Sequence, residues 1–411
     1  MLFNRERAEG VMRRAGVDAV IATSKENVAY LSGHDSPTHT LMKNSLNFAV
    51  FSPTASPVAS VIIPRLEVET WLHGKPWIED VHLVGLFSRN LTHDRDMDAT
   101  GRMVETLISG AHEAASTLEA LVATIKARGL LRGRLAVDET GLGPADWKAI
   151  SEHLPDAEIV PGNMLLWNVR MIKTPEEIAR LRMSSKIAEG AVKRALTDLA
   201  AGSTDRDLDR AYNADVCLQG GLPSFSMFGS GSLTAQPHLI SGDKVIEDGD
   251  LIRWDVGCTY GHYHSDTARA VVKGTPQSHQ SDVWDLLVTG VESAIKAARP
   301  GATPAELHQI AIEPLSSSGN SDFARFHCGH GIGISIYDPP IITQQDPSTS
   351  VFRVPAAEGG LEPGMVLNIE VGYYQTGFQG FLCEDTIVIT SEGNERLTSA
   401  SKALSLSDYL N

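Results

Sequence analysis

Four carboxylates and one histidine in the second half of the chain have the spacing of a metal site. The segment Gly249–Gly274, GDLIRWDVGCTYGHYHSDTARAVVKG, sets two aspartates among apolar residues. A hairpin with its two-residue turn at Tyr260-Gly261 would place Asp255 directly opposite Asp266, with Cβ atoms ~4.5–5.5 Å apart. Like charges so placed destabilise a sheet, and a bound cation removes that penalty. The alternative is one aspartate turned to solvent on a bulged or longer loop. Val366–Thr390, VLNIEVGYYQTGFQGFLCEDTIVIT, repeats the device. A three-residue loop centred on a left-handed Gly377 would oppose Glu370 to Glu384. A solvated pair of edge glutamates is the alternative there, but two hairpins that each oppose two acids are hard to assign to chance.

His330 lies in HCGHGIGISIYDPP, between glycines that let a ligand approach the backbone. Alone it reads as a hydrogen-bonded structural histidine. Beside four carboxylates it completes a set of five ligands with a single nitrogen. Such a set suits two divalent ions ~3.5–4 Å apart. Its oxygen-rich chemistry favours Mn²⁺, Fe²⁺, Co²⁺ or Zn²⁺ in a site unlike a thiolate one. Cys328 reads as a small buried residue rather than a nucleophile. The sequence has no zinc-type CxxC pair and no Walker-type glycine loop.

The elements that must position these residues follow from period and punctuation. Arg5–Gly16 is amphipathic and stops at glycine, as a helix would. Val17–Ala22, Leu46–Phe51, Ser60–Pro64, Leu135–Asp138 and Ala157–Pro161 read as short strands, and Gly101–Arg128 as one long helix. This alternation predicts an α/β domain over residues 1–165. Thr174-Pro175-Glu176-Glu177 is a capping box with proline at the first helical position. Ile178, Leu181, Ala188, Val192, Ala195 and Leu199 then mark one apolar helix face. Thr303-Pro304-Ala305-Glu306 opens a further helix, and Trp284–Ala298 is periodic too. With strand-like segments at 251–259, 262–272, 365–373 and 382–390, residues 166–411 predict an α+β domain.

Charge and composition bound the function. The 411 residues carry 35 Lys and Arg against 51 Asp and Glu, a net charge of −16, which argues against nucleic acid as a partner. Four cysteines do not make a disulfide framework and read as reduced thiols. The first residues, MLFNRERAEG, contain no apolar leader, and no apolar run approaches the ~18 residues of a membrane span. The expectation is a soluble, cytoplasmic protein with no membrane partner.

At this point the chain resembles a known superfamily. Asp255, Asp266, His330, Glu370 and Glu384 are similar in type, order and spacing to the metal ligands of the pita-bread metallopeptidases, which include methionine aminopeptidase, aminopeptidase P and prolidase, with the metal-free creatinases as relatives. The matching segments are Trp254-Asp255-Val256-Gly257, Ser265-Asp266-Thr267-Ala268-Arg269, Gly329-His330-Gly331-Ile332-Gly333, Ile369-Glu370-Val371 and Glu384-Asp385-Thr386. Arg170–Arg182 and the Glu26–Gly33 stretch resemble the Xaa-Pro peptidase branch and its creatinase-type N-domain. The resemblance implies an α/β N-terminal domain followed by an α+β pita-bread catalytic domain. It implies two divalent ions, manganese foremost, with a hydroxide between them attacking an Xaa-Pro bond in dipeptides or short peptides. By carry-over, Glu370 shuttles the proton, and His238, in Gln236-Pro237-His238, faces the substrate with Tyr337. His262 and His264 are further contact candidates on the face of Asp266. A homodimer is implied as well. The chain departs from the family where Tyr337 and Asp338 replace a second histidine and its glutamate, and where Val371 replaces proline. These departures leave open an amide or ring-opening hydrolase, or a lyase, acting on a small metabolite. A third reading is a non-catalytic partner-binding protein on the same scaffold, which the intact ligand set counts against.

Overall fold

Asn4 begins the first helix by accepting the Arg7 amide on its side chain, and Arg5–Ala15 ends on left-handed Gly16. In this computed structural model, residues 2–42, 44–74, 77–90, 97–110, 114, 116–319, 323–346, 354 and 359–411 are described. They fall into two units, Met1–Arg170 and Met171–Asn411.

The first unit is built on six strands, β1 (Ala19–Ala22), β2 (Phe48–Phe51), β3 (Ala59–Pro64), β4 (Val81–Val84), β5 (Arg134–Val137) and β6 (Glu158–Pro161), in the order β4-β3-β2-β1-β5-β6. β1 and β2 are antiparallel, whereas β5 joins β1 in parallel, so the sheet is mixed. β4 escapes a reading by pattern because it is a four-residue edge strand with half-buried Val81 and His82. The long helix expected over 101–128 is two, Ala99–Gly110 and Thr117–Ala127. Ser116 caps the second by accepting from the Glu119 amide, which starts a new helix rather than continuing one. Residues 111–113 and 115 of that expected helix lie outside the described residues.

In the second unit, Thr174 and Thr303 cap helices Pro175–Thr197 and Pro304–Ser317 with the reciprocal bonds that the sequence predicts. The strands β7 (Leu222–Ser230), β8 (Leu251–Tyr260), β9 (Tyr263–His264) and β10 (Thr267–Val272) form one antiparallel sheet. A second contains β11 (Gly329–Gly331), β12 (Asp338–Ile341), β13 (Val366–Tyr374), β14 (Gly380–Ile389) and β15 (Asn394–Arg396), in the order β12-β11-β13-β14-β15. Period-two alternation decides which way each residue points. On β8, Ile252, Trp254 and Val256 pack with Ala188 and Val192 of helix Pro175–Thr197. On β13, Leu367, Ile369 and Val371 pack with Leu287 and Val291 of helix Ser278–Ala297. Burial of those apolar faces, roughly 1.5–3 kcal/mol for each large side chain, turns Arg253, Asp255, Asn368 and Glu370 to the opposite faces.

Candidate metal centre

The β13–β14 hairpin has the register read from the sequence, with Glu370 opposite Glu384. Its loop closes through Gln375 N to Gln379 O and Phe378 N to Gln375 O, both 2.9 Å, with Gly377 at φ 81°. The β8–β10 register differs from expectation. Asp255 faces Ala268, and the turn residues are Gly261 and His262. Both have positive φ, 53° and 74°, as the favoured two-residue hairpin turn requires. A turn displaced by one residue moves each cross-strand partner by two. Asp266, just before β10, is therefore diagonal to Asp255, and His262 sits in the turn rather than on the face of Asp266. The backbone N–H of His264 donates to Gly333 O at 2.9 Å.

Asp266, His330 and Glu384 nevertheless converge, each offering one ligand atom within 4.8 Å of the others, and all three are buried. A backbone carbonyl can only accept, so His330 Nδ1 is the donor in its 2.9 Å bond to Gly331 O. Nε2 is left without a hydrogen-bond partner, buried, and 3.6 Å from Asp266 Oδ2. Asn368 Nδ2 donates to Glu384 Oε1 at 3.0 Å, and Thr386 Oγ1 donates to Asn368 Oδ1 at 2.6 Å. The Tyr337 ring stacks on the His330 imidazole, with centroids 3.8 Å apart and planes 23° apart. Asp338, next in the chain, faces Lys173 at 3.5 Å with both side chains buried.

The electrostatics divide the carboxylates. Burial, then the charges of Asp266 and Glu370, push Asp255 well above the ordinary carboxylate range. Burial, then Asp266, Glu370 and Asp255, do the same to Glu384. Asp266 is raised by burial against the pull of His330. Glu370 is held low: burial opposes this, but His327, Arg325 and His330 outweigh it. His327 Nδ1 lies 3.1 Å from Glu370 Oε1, and Arg325 Nη2 lies 3.8 Å from Oε2. Two buried acids, Asp266 and Glu384, and the half-buried Asp255 have raised pKa values beside an unpartnered imidazole nitrogen, and divalent cations would offset that cost. The donor set fits the metal.

Not every sequence candidate joins this cluster. His238 is exposed, beyond the short helix Gly231–Ala235. Cys328 is buried, with its thiol pushed up to about 12 by burial, which suits a packing residue. Arg325, His327, Asn368 and Thr386 were not singled out from sequence. Asn368 and Thr386 could have been found by alternation, since each stands two residues from a candidate glutamate on the same strand face. His327 and Arg325 precede β11 in irregular chain, where no period applies.

Comparison with known proteins covers both units. Residues 179–391 match metallopeptidase family M24, and residues 5–172 match the creatinase/prolidase N-terminal domain. An Xaa-Pro dipeptidase of Pyrococcus furiosus is 35% identical over 239 residues, covering 58% of this chain and 66% of that protein. The Xaa-Pro dipeptidase of Pyrococcus horikoshii is 32% identical, with 58% and 65% covered. The match thus spans slightly under two thirds of those two curated relatives. Among solved structures, the Xaa-Pro dipeptidase from Bacillus anthracis superposes with a TM-score of 0.77 at 24% identity, covering 97% of this chain and 98% of that one. The prolidase from Pyrococcus furiosus gives 0.72 at 25% identity, with 95% and 99% covered. These superpositions show a shared fold. Among the described residues, no helix is long and apolar enough to cross a membrane.

Proposed function

The chain belongs to metallopeptidase family M24, and from that membership we propose a dinuclear metal-dependent hydrolase that cleaves the Xaa-Pro bond of dipeptides or short peptides. The observation that carries this reading is the convergence of buried Asp266, His330 and Glu384 within 4.8 Å. Asp255 and Glu370 complete the ligand set in the proposal. Two divalent ions held there, manganese foremost, would supply a water nucleophile at neutral pH and polarise the scissile carbonyl. Glu370 carries the proton from water to the leaving amine. His238 and Tyr337 steady the charge that develops on the carbonyl oxygen. The Xaa-Pro specificity is taken from the names of the archaeal relatives. A reducing, cytoplasmic location agrees with four free thiols, and a homodimer is carried over from the resemblance.

One observation favours a second reading, in which the same centre acts on a small amide. Tyr337 fills the place of the family's second histidine and is stacked on His330. The deciding experiment offers the manganese-reconstituted protein Xaa-Pro dipeptides, longer Xaa-Pro peptides and small cyclic amides. A kcat/KM above ~10⁴ M⁻¹s⁻¹ on an Xaa-Pro dipeptide, the low end for ordinary enzymes, supports the peptidase. Turnover of cyclic amides with negligible dipeptide cleavage, in fully metallated protein, sinks it.

A further inference from the structure

We propose that Arg253 is a positioning residue that seats the segment bearing His238 against the carboxylate centre, through a relay that continues to Glu370. The proposal rests on the reading that His238 acts on the substrate. Arg253 stands two residues before Asp255 on β8, and alternation puts both on one face. Its side chain is entirely buried. Nη2 donates to the carbonyls of Gln236 and Pro237, the latter at 3.2 Å. Nη1 donates to the Tyr374 hydroxyl at 3.1 Å, and the guanidinium lies 4.9 Å from the centroid of the same ring. Arg325 lies 5.7 Å from that centroid and also faces Glu370 at 3.8 Å. Tyr374 stands four residues after Glu370 on β13, again on one face. Contacts therefore run from Pro237 through Arg253, Tyr374 and Arg325 to Glu370.

The segment is pinned on the other side of His238 as well. Leu239 is buried, and Gly229 leaves room for it: a Cβ there would meet Leu239 Cδ2 at 2.6 Å. Ser241 Oγ accepts from the Phe228 amide at 3.0 Å. His238 is thus an exposed imidazole between two fixed points, the arrangement expected of a group that must meet a substrate at a set place. A buried guanidinium is costly to desolvate; the terminal nitrogens of Arg253 donate to two carbonyls and a hydroxyl, while its buried Nε has no hydrogen-bond partner among the described residues. An apolar residue would fill this strand position at less cost. What the arginine adds is a rigid planar fork that holds two adjacent carbonyls at once.

A double-mutant cycle tests this. Arg253→Met, His238→Ala and the double variant are compared for kcat, KM and metal content, all after manganese loading. Arg253→Met should keep wild-type metal content and lower kcat by about 10²-fold, the scale of a 1 Å misplacement. In the His238→Ala background the same change should cost less than about 3-fold, because the residue being positioned is gone. Arg253→Lys keeps the charge but loses the fork, and should fall between wild type and Arg253→Met. Tyr374→Phe, which removes one bond, should shift kcat in the same direction by less, and carries the test if Arg253→Met does not fold. Losses that multiply in the double variant, or wild-type kcat in Arg253→Met, overturn the positioning role alone. A fully active His238→Ala protein overturns the role together with the reading of His238 on which it rests.

Discussion

At the scale of single residues, the proposed centre gathers acidic side chains whose mutual repulsion a bound cation would offset. Asp266→Ala removes the carboxylate nearest to His330 Nε2. Metal analysis after manganese loading should show at least one ion lost per chain and turnover abolished, with the far-UV circular dichroism unchanged. Full metal content in this variant would remove Asp266 from the ligand set. Tyr337 separates ring from hydroxyl. Its ring stacks on the His330 imidazole, so, if His330 binds metal as proposed, Tyr337→Phe should keep metal affinity and lose one hydrogen bond worth ~1–3 kcal/mol, or ~5- to 150-fold in kcat/KM. Tyr337→Ala removes the stack as well and should also weaken manganese binding, measured by titration. Equal metal affinity in Tyr337→Ala and Tyr337→Phe would show that the ring orients nothing. The sequence identifies tyrosine at this position as a departure from the family, but not that its ring would lie flat on His330, because stacking depends on how β11 and the following loop approach each other.

At the scale of elements, the start of helix Pro175–Thr197 carries a titratable load. Glu177 closes the capping box by accepting from the Thr174 amide at 2.7 Å, and it accepts the Tyr263 hydroxyl at 3.0 Å. Burial pushes its carboxyl up to about 7, against these bonds and the charge of Lys173. A folded-state pKa above the unfolded value of 4.5 contributes stability below pH 4.5, and that contribution is lost as pH rises toward 7. Over that window its scale is on the order of 3 kcal/mol. Glutamine retains a capping-box acceptor, so Glu177→Gln should flatten the fall of stability between pH 4.5 and 7 in denaturant titrations. Identical pH slopes in the two proteins would show that Glu177 does not titrate there. The two hairpins show how far elements are legible in sequence. The Glu370–Glu384 register was readable because Gly377 is the natural residue for a left-handed loop position. The Asp255–Asp266 register was misread because the turn places His262, a non-glycine, at φ 74°. Positive φ is uncommon for any non-glycine residue, although histidine is enriched among those that adopt it, and Gly261 can stand at either central position of a two-residue turn, so the sequence did not decide between Tyr260-Gly261 and Gly261-His262. The carboxylates still meet, because a two-residue shift preserves the strand face while changing the partner. Helix starts were legible for a similar reason: a capping box is local chemistry, whereas an edge strand such as β4 is defined by its neighbours.

At the scale of the whole molecule, the proposed ligand set would couple metal, pH and stability. Without metal, the raised pKa values of Asp255 and Glu384 mean that the folded protein retains protons that the unfolded chain releases. Stability from these groups is present below their unfolded pKa values and is lost as pH rises, so metal-stripped protein should weaken as pH rises above those values. Metal binding has the opposite dependence, because carboxylates and imidazole must give up protons to bind it. Manganese at about 100 times its Kd adds about 2.7 kcal/mol. For a unit the size of Met171–Asn411, that raises Tm by roughly 5–10 °C. The Tm difference between manganese-loaded and EDTA-treated protein should therefore widen steadily between pH 5.5 and pH 8. The net charge of −16 also attracts cations nonspecifically, but weak surface binding is screened by salt. Repeating the scans in 0.5 M potassium chloride, with Asp266→Ala as control, separates the two sources. A difference that vanishes in salt, or that survives in Asp266→Ala, would place the ions on the acidic surface and not among the buried carboxylates. A difference that persists in salt, grows with pH and disappears in Asp266→Ala would follow from ions bound by groups that the fold itself forces together.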